Sequence, residues 1–256
     1  MTQPPPYPVG RQLLAGKRVL VTAAAGTGIG FATARRCAEE GAVVAISDRH
    51  ERRLGESAER LAEVMGSAPV AVPCDVTVET DVQRMFDTVG DFDVLVNNAG
   101  LGGTAALADM TDEQWDAVVG VTLTGTMRCT REALRRFKQN SHGGAIVNNA
   151  SVIGWRAQQG QSHYAAAKAG VMALTRCAAV EAAADGVRVN AVAPSLAMHE
   201  NLAKVTTDEL LAELTSREAF GRAAEPWEVA NVIVFLASDY ASYLTGEVLS
   251  VSSQHP

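Results

Sequence analysis

The stretch "RVLVTAAAGTGIGFATA", Arg18–Ala34, decides how this chain folds. Its opening "RVLVT" (Arg18–Thr22) is nearly continuously apolar and β-branched, the composition of a strand covered on both faces. Gly26, Gly28 and Gly30 follow directly, and a helical pattern over about Gly30–Glu40 opens on the last of them. Without Cβ atoms the backbone can come close to a phosphate, and the start of the helix offers free N–H groups and a positive dipole end. A glycine triplet alone is weak evidence; its place between a first strand and a first helix gives it meaning.

The same alternation continues outward. "AVVAIS" (Ala42–Ser47), "PVAVPCD" (Pro69–Asp75), "DVLVNN" (Asp93–Asn98), "AIVNNAS" (Ala145–Ser151) and "VRVNAV" (Val187–Val192) are expected strands, with "GEVLSVS" as a last one. Helices are expected over about Glu51–Val64, Thr80–Val89, Asp112–Lys138, Tyr164–Ala184 and Pro226–Ser238. Strands alternating with helices give an α/β fold, a doubly wound parallel sheet in a single domain. Residues 1–16, with four prolines among the first eight, are expected to be a flexible arm, and 17–256 one folded domain.

Composition narrows the function classes. The 256 residues are 47 % hydrophobic with a formal net charge of -7, and the basic residues form no stripe, which argues against nucleic acid or an anionic membrane surface. No apolar run reaches the ~18 residues that span a bilayer, and the N-terminus lacks the order of a signal peptide. A cytoplasmic protein is expected. Cys37, Cys74, Cys129 and Cys177 form no close-spaced pair, so they are expected as buried thiols, with no metal site.

Ligands of such sheets bind beyond the carboxyl ends of the strands. Asp48 ends the second strand, twenty residues after Gly28. It can accept from both ribose hydroxyls of an adenosine and it repels a 2′-phosphate, which favours NAD over NADP. Arg49 beside it can pair with a 2′-phosphate and keeps NADP open. Asp75 can accept from an adenine amino group, with Val76 along the ring, and Asn97, Asn98, Ala99 and Gly100 follow the fourth strand. Each of these also fits a plain turn or helix cap; their convergence on one sheet edge does not follow from turns and caps alone.

"SHYAAAKAG" (Ser162–Gly170) sets Tyr164 and Lys168 one helical turn apart, on one face. Ser151 ends the fifth strand thirteen residues before Tyr164. A hydroxyl there can hold a substrate oxygen, and the tyrosine can pass a proton to or from it. A free phenol titrates near ~10, and bringing it down to about 7–8 takes about 3–4 kcal/mol, which the lysine charge is expected to supply. Lys168 is also long enough to reach a ribose hydroxyl. The bland alternative, a tyrosine anchor and a solvated lysine, fits the pair taken alone.

With these residues in hand, the chain resembles the short-chain dehydrogenase/reductase family over residues ~14–251. Ser151, Tyr164 and Lys168 match that family's catalytic set in order and spacing. The glycine loop (Gly26, Thr27, Gly28, Ile29, Gly30), Asp75, Asn97–Gly100 and "NAVAP" (Asn190–Pro194) match its cofactor motifs. The resemblance implies a Rossmann-like fold, a nicotinamide cofactor, hydride transfer at a carbinol carbon, and a homo-oligomer, a tetramer or dimer. Cofactor contacts from Pro194 and Ala197 follow from it as well. The stretch "NNASVIGWRAQQGQSHYAAAKAGVMALTRC" is similar to an actinobacterial branch acting on acyl-CoA thioesters in steroid degradation, which implies a hydroxylated bicyclic (hydrindane) acyl-CoA as substrate.

The family pattern is not followed throughout. Ala23 stands where a glycine is usual, and the later glycines lie one residue further on. Thr122, in "VTLTG", occupies the position of a catalytic asparagine; it keeps the carbonyl that would hold a water in the proton relay but changes the side-chain anchor. His199 replaces a threonine that would meet the carboxamide or pyrophosphate. Ile153, Trp155 and Gln161 are expected to wall the substrate, Trp155 by its broad apolar face. A lid is expected over about 196–220, with Met198 and Leu202 toward substrate. His163 is expected to cap its helix rather than transfer protons.

The reading is an NAD-dependent dehydrogenase acting on a secondary alcohol of an acyl-CoA. An NADPH-dependent reductase of 3-oxoacyl thioesters is the alternative, and a non-catalytic nucleotide-binding scaffold is a third.

Overall fold

The computed structural model describes residues 3–198 and 208–253, with 208–211 as backbone only. Seven parallel strands form one sheet in the order β3-β2-β1-β4-β5-β6-β7. They are β1 (Arg18–Val21), β2 (Val43–Asp48), β3 (Val70–Pro73), β4 (Val94–Asn97), β5 (Gly144–Asn149), β6 (Val187–Pro194) and β7 (Val248–Val251). Strand order reverses between β1 and β4, which pair directly. The crevice beyond their carboxyl ends is where such sheets take ligands.

Side-chain alternation divides the core. Val19, Val21, Val44, Ile46, Val94, Val96 and Val147 face a layer made by α1 (Ile29–Glu39), α2 (Glu51–Met65) and, late in the chain, α8 (Pro226–Ala237). Leu20, Ala45, Leu95, Ile146 and Val189 face the opposite layer of α3 (Glu79–Val89), α5 (Thr126–Asn140) and α6 (Ser162–Ala182). The remaining described helices are α4 (Asp112–Val119) and α7 (Asp208–Ser216). Local signals mark the helix ends: Thr111 and Gln114 close a capping box on α4, Glu225 and Glu228 another on α8, and Gly66 takes the left-handed conformation that ends α2.

The structure departs from the sequence reading in three places. The helix expected over Asp112–Lys138 is interrupted by a π-helical turn, Gly120–Gly125. A Cβ at Gly125 would stand 2.5 Å from Val76 Cγ2, so the turn admits Val76 where an ordinary side chain could not. Cys37, Cys74 and Cys129 are buried as expected, but Cys177 is exposed.

The third departure concerns the arm. The segment expected to be flexible is tied to α1 over Tyr7–Leu14. The Tyr7 hydroxyl donates to Glu39 at 2.7 Å and its ring meets Trp227 edge-on at 5.4 Å. Glu40 Oε2 accepts from the amides of Arg11 and Leu13, and Leu14 is fully buried. Proline content signals an extended backbone, and here that extended backbone is satisfied by one carboxylate.

That carboxylate is itself balanced. Glu40 Oε1 accepts from Arg36 at 2.6 Å, and both side chains are almost wholly buried. Arg36 pairs with Glu39 as well, at 2.6 Å, so removing Glu40 weakens the buried charge pairing and strips the Arg11 and Leu13 amides of their acceptor. Glu40→Ala is expected to cost about 3 kcal/mol, a fall of roughly 6–12 °C in melting temperature by calorimetry.

Candidate active site

The strand ends are held by hydroxyls and carboxamides. Thr22 Oγ1 accepts from the amides of Asn98 (3.0 Å) and Ala99 (3.3 Å), joining β1 to β4. Asn98 Nδ2 donates to the carbonyls of Thr22 (3.3 Å) and Ala23 (2.9 Å), while its Oδ1 accepts from Asn149 Nδ2 at 3.0 Å. One layer deeper, Asn97 Nδ2 donates to Asn148 Oδ1 and Thr130 Oγ1, and Asn148 Nδ2 to Thr175 Oγ1. Thr22, Asn148 and Asn149 were not singled out from the sequence. The doubled asparagines of "NNAG" and "NNAS" at matching strand ends are the signal that points to them.

The glycine loop rests on this frame. Ala23, in the usual glycine's place, takes φ +50, and Gly26 takes φ +98. A Cβ on Gly30 would lie 2.4 Å from both Ala23 O and Asn98 Nδ2, so α1 can approach the strand only through glycine. Gly28 is the N-cap of α1, with no side-chain cap, and no acidic residue stands in the first turn beyond it. Those uncapped N–H groups, flanked by Thr27 and Ile29, fit a pyrophosphate. Ser57 Oγ accepts from Gly26 N at 3.1 Å and Arg60 donates to Gly26 O at 3.2 Å, fixing the outer side of the loop.

The adenosine end is partly committed to structure. Asp48, almost buried, accepts from Ala25 N at 3.2 Å and His50 N at 2.9 Å, so it shapes the loop it borders. Asp75 Oδ1 accepts from the Thr77 amide and hydroxyl. A cavity of about 330 Å³ lies here, lined among others by Arg49, Cys74, Asp75 and Arg84. Val76 does not join that lining; it is buried against Gly125. Ala99 is buried and Gly100 lies at the surface beyond β4.

Ser151, Tyr164 and Lys168 are brought together. Ser151 follows β5 and opens a 3₁₀ turn, Val152–Gly154, which packs on α6. That packing needs Gly154, where a Cβ would meet Met172 Cε at 2.8 Å and Ala169 N at 3.0 Å. The Ser151 hydroxyl, which accepts from Ile153 N at 3.3 Å, lies close enough to the Tyr164 phenol to favour its ionised form. Lys168 Nζ donates to the Asn149 carbonyl and lies 5.6 Å from the centre of the Tyr164 ring.

The electrostatics differ from the sequence expectation. Burial raises the Tyr164 phenol above its ordinary value, and only the Ser151 hydroxyl opposes it. Burial also pushes the Lys168 ammonium down to about 8. Its charge meets the ring face and a backbone carbonyl, not the phenol oxygen, so it does not by itself bring the phenol down.

Thr122 is fully buried in the π-helical turn and anchored to the fourth-strand loop. Its Oγ1 accepts from Leu101 N at 3.0 Å and donates to Leu101 O at 3.2 Å, while its carbonyl accepts from Thr126 Oγ1 at 2.8 Å. A Cβ on Gly100 would stand 3.5 Å from Lys168 Nζ and 3.9 Å from Thr122 Oγ1, which locates all three at one point.

On the substrate side, Trp155 is 45 % exposed, so it is not packed into the sheet edge. Ile153 and Gln161 are half-buried, and Gln161 is the N-cap of α6. His163 caps nothing: it is buried and its Nδ1 has no partner. Pro194 ends β6, and Ala197 forms a bridge to Ala224 that fixes the start of the segment expected as a lid. His199 and Leu202 lie outside the described residues.

No described helix is long and apolar enough to cross a membrane, and the described residues hold no metal-type cluster of three His, Cys, Asp or Glu. A family model described as enoyl-(acyl carrier protein) reductase matches residues 23–253. The chain is 63 % identical over 251 residues, 96 % of each chain, to a Mycobacterium tuberculosis protein. That protein is named (5R,7aS)-5-hydroxy-7a-methyl-1-oxo-2,3,5,6,7,7a-hexahydro-1H-indene-carboxyl-CoA reductase. The present chain is 42 % identical to cis-4-hydroxycyclohexanecarboxylate dehydrogenase of Sinomonas cyclohexanicum, over 92 % of this chain and 95 % of that one. The crystal structure of a short chain dehydrogenase from Mycobacterium smegmatis superposes with a TM-score of 0.87 at 59 % identity, covering 99 % of both chains. Glycine loop, asparagine frame and serine–tyrosine–lysine cluster thus occur in a chain that these relatives match over at least 92 % of its length, and the chain is an oxidoreductase belonging to the short-chain dehydrogenase/reductase family.

Proposed function

We propose that this enzyme interconverts a secondary alcohol and a ketone on the CoA thioester of a bicyclic hydroxy acid, with NAD as its coenzyme. The single observation that carries the chemistry is the meeting of Ser151, Tyr164 and the buried Lys168, whose Nζ lies 5.6 Å from the centre of the tyrosine ring. The family binds NAD(P), which supplies the hydride acceptor or donor when bound. Ser151 orients the substrate oxygen, and Tyr164 takes or returns its proton. Lys168 holds a ribose hydroxyl, and Thr122 fixes the loop around that lysine. The names of the Mycobacterium tuberculosis and Sinomonas cyclohexanicum relatives, both acids on saturated or partly saturated rings, support the substrate class. The segment over about 196–220 serves as the lid. Exposed Tyr240 and Tyr243, near the edge strand β7, support self-association.

Tyr164→Phe removes the group that moves the proton in this reading. Turnover should fall at least about hundredfold, with coenzyme affinity unchanged by fluorescence titration; turnover within a few-fold of wild type would overturn the mechanism.

The pH dependence has a definite sign. A phenol raised above its ordinary value is protonated at neutral pH, so the phenolate that oxidation requires grows about tenfold per pH unit from pH 7 upward. Near pH 8 the Lys168 charge begins to be lost and the rise should flatten. Reduction needs the protonated phenol and should be flat below that point. Profiles of kcat/KM in both directions check this, and an oxidation rate constant across pH 6–9 contradicts it.

Coenzyme choice rests on Asp48 at the end of β2. Arg49 and Arg84 in the adjoining cavity are the observation favouring NADPH and the 3-oxoacyl thioester reductase reading. Titration with both reduced coenzymes separates the two. Asp48→Asn, which keeps one of the two oxygens that accept from Ala25 N and His50 N, is expected to shift the affinity ratio toward NADPH by roughly tenfold or more.

A further inference from the structure

A second cavity, of about 180 Å³, opens past Gly100, between the loop after β4, α4 and the start of α6. Leu101, Gly103, Thr104, Ala117, Val118 and His163 are among its walls. It is largely apolar, and two of its walls are joined to the elements of the reacting centre: Leu101 is held by Thr122, and His163 precedes Tyr164 on α6.

His163 is the anomaly of this cavity. The side chain is 2 % exposed, and Nδ1 is sealed from solvent without a hydrogen-bond partner. Buried polar atoms in folded proteins are nearly always paired, so an exception points to a role. Nε2 borders Gly103, where a Cβ would stand 3.0 Å from it. A neutral imidazole carries one N–H and one bare nitrogen. Nδ1 meets neither a donor nor an acceptor, so the tautomer is set at Nε2, where an acceptor entering the cavity would hold the proton and receive its hydrogen bond.

We infer that His163 is a specificity-determining residue whose Nε2–H donates to a ketone oxygen on the substrate ring, remote from the carbon that is oxidised. The cavity is too small for a whole CoA thioester and suits one ring bearing one acceptor. The inference rests on the alcohol–ketone reading above and narrows its substrate to ring systems with a second, non-reacting carbonyl.

Two probes test it: the CoA thioester of a bicyclic hydroxyketone acid, and that of a hydroxycyclohexane acid, which has no ring ketone. For His163→Phe, KM for the bicyclic probe should rise about tenfold, the worth of one hydrogen bond from a desolvated site, with kcat within twofold. KM for the cyclohexane probe should not move. Gly103→Ala, which keeps the imidazole but crowds Nε2, should reproduce the selective effect. Equal losses on both probes would mark His163 as merely structural, and no loss on either would also overturn the inference. Nitrogen-15 spectra of the wild-type ring read it without turnover: the bicyclic probe should shift the Nε2 signal and the cyclohexane probe should not. Failure of both probes to turn over would sink the proposed function, and an unshifted Nε2 signal would sink this inference separately.

Discussion

One carboxamide fixes the height at which everything at this sheet edge sits. Asn98 reaches back to two carbonyls of the chain leaving β1 and receives the amide of Asn149 from β5. Three neighbouring strands are thereby tied at their carboxyl ends, where parallel pairing stops, alongside the Thr22 hydroxyl that joins β1 to β4. The consequences spread from there. Gly30 must lack a side chain because Asn98 and Ala23 occupy the space. The Asn149 carbonyl, fixed by the same contact, is the acceptor that holds Lys168.

The second layer of polar groups has the opposite character. Asn97, Asn148, Thr130 and Thr175 are buried and bonded chiefly to one another, linking β4 and β5 to α5 and α6. Such a network, in which Asn97 Oδ1 still lacks a partner, rigidifies a core more than it stabilises it, because each bond replaces one with water. Here it locks α6 against the sheet, and α6 carries both Tyr164 and Lys168. The 3₁₀ turn after Ser151 clamps the same helix from the other side through Gly154.

Much of this was legible in the sequence, for identifiable reasons. Strands covered on both faces read as apolar runs, and all seven stand within about two residues of expectation. Glycines in a strand-to-helix turn serve close approach of the backbone, to an anion or to a neighbouring strand, and a tyrosine and lysine one turn apart must share a face. What escaped were contacts between distant segments. Nothing local marks Glu40 as the acceptor for a proline-rich arm, or Gly125 as the gap that admits Val76. The electrostatics escaped for a related reason: proximity along a helix does not say which atoms meet. Lys168 turns its charge to a carbonyl and to the ring face, and burial outweighs both for the phenol.

The thiols offer a use for this arrangement. Cys37 and Cys74 are pushed up to about 12 by burial, and Cys129 is raised further for the same reason. Cys177 alone stands in solvent, on the very helix that holds Tyr164, about 13 Å along its axis from Lys168. A maleimide dye would therefore find a single attachment point without mutagenesis, rigidly mounted, at energy-transfer range from a reduced nicotinamide bound at the strand ends. The native chain is in that sense already wired as its own optical gauge of coenzyme occupancy.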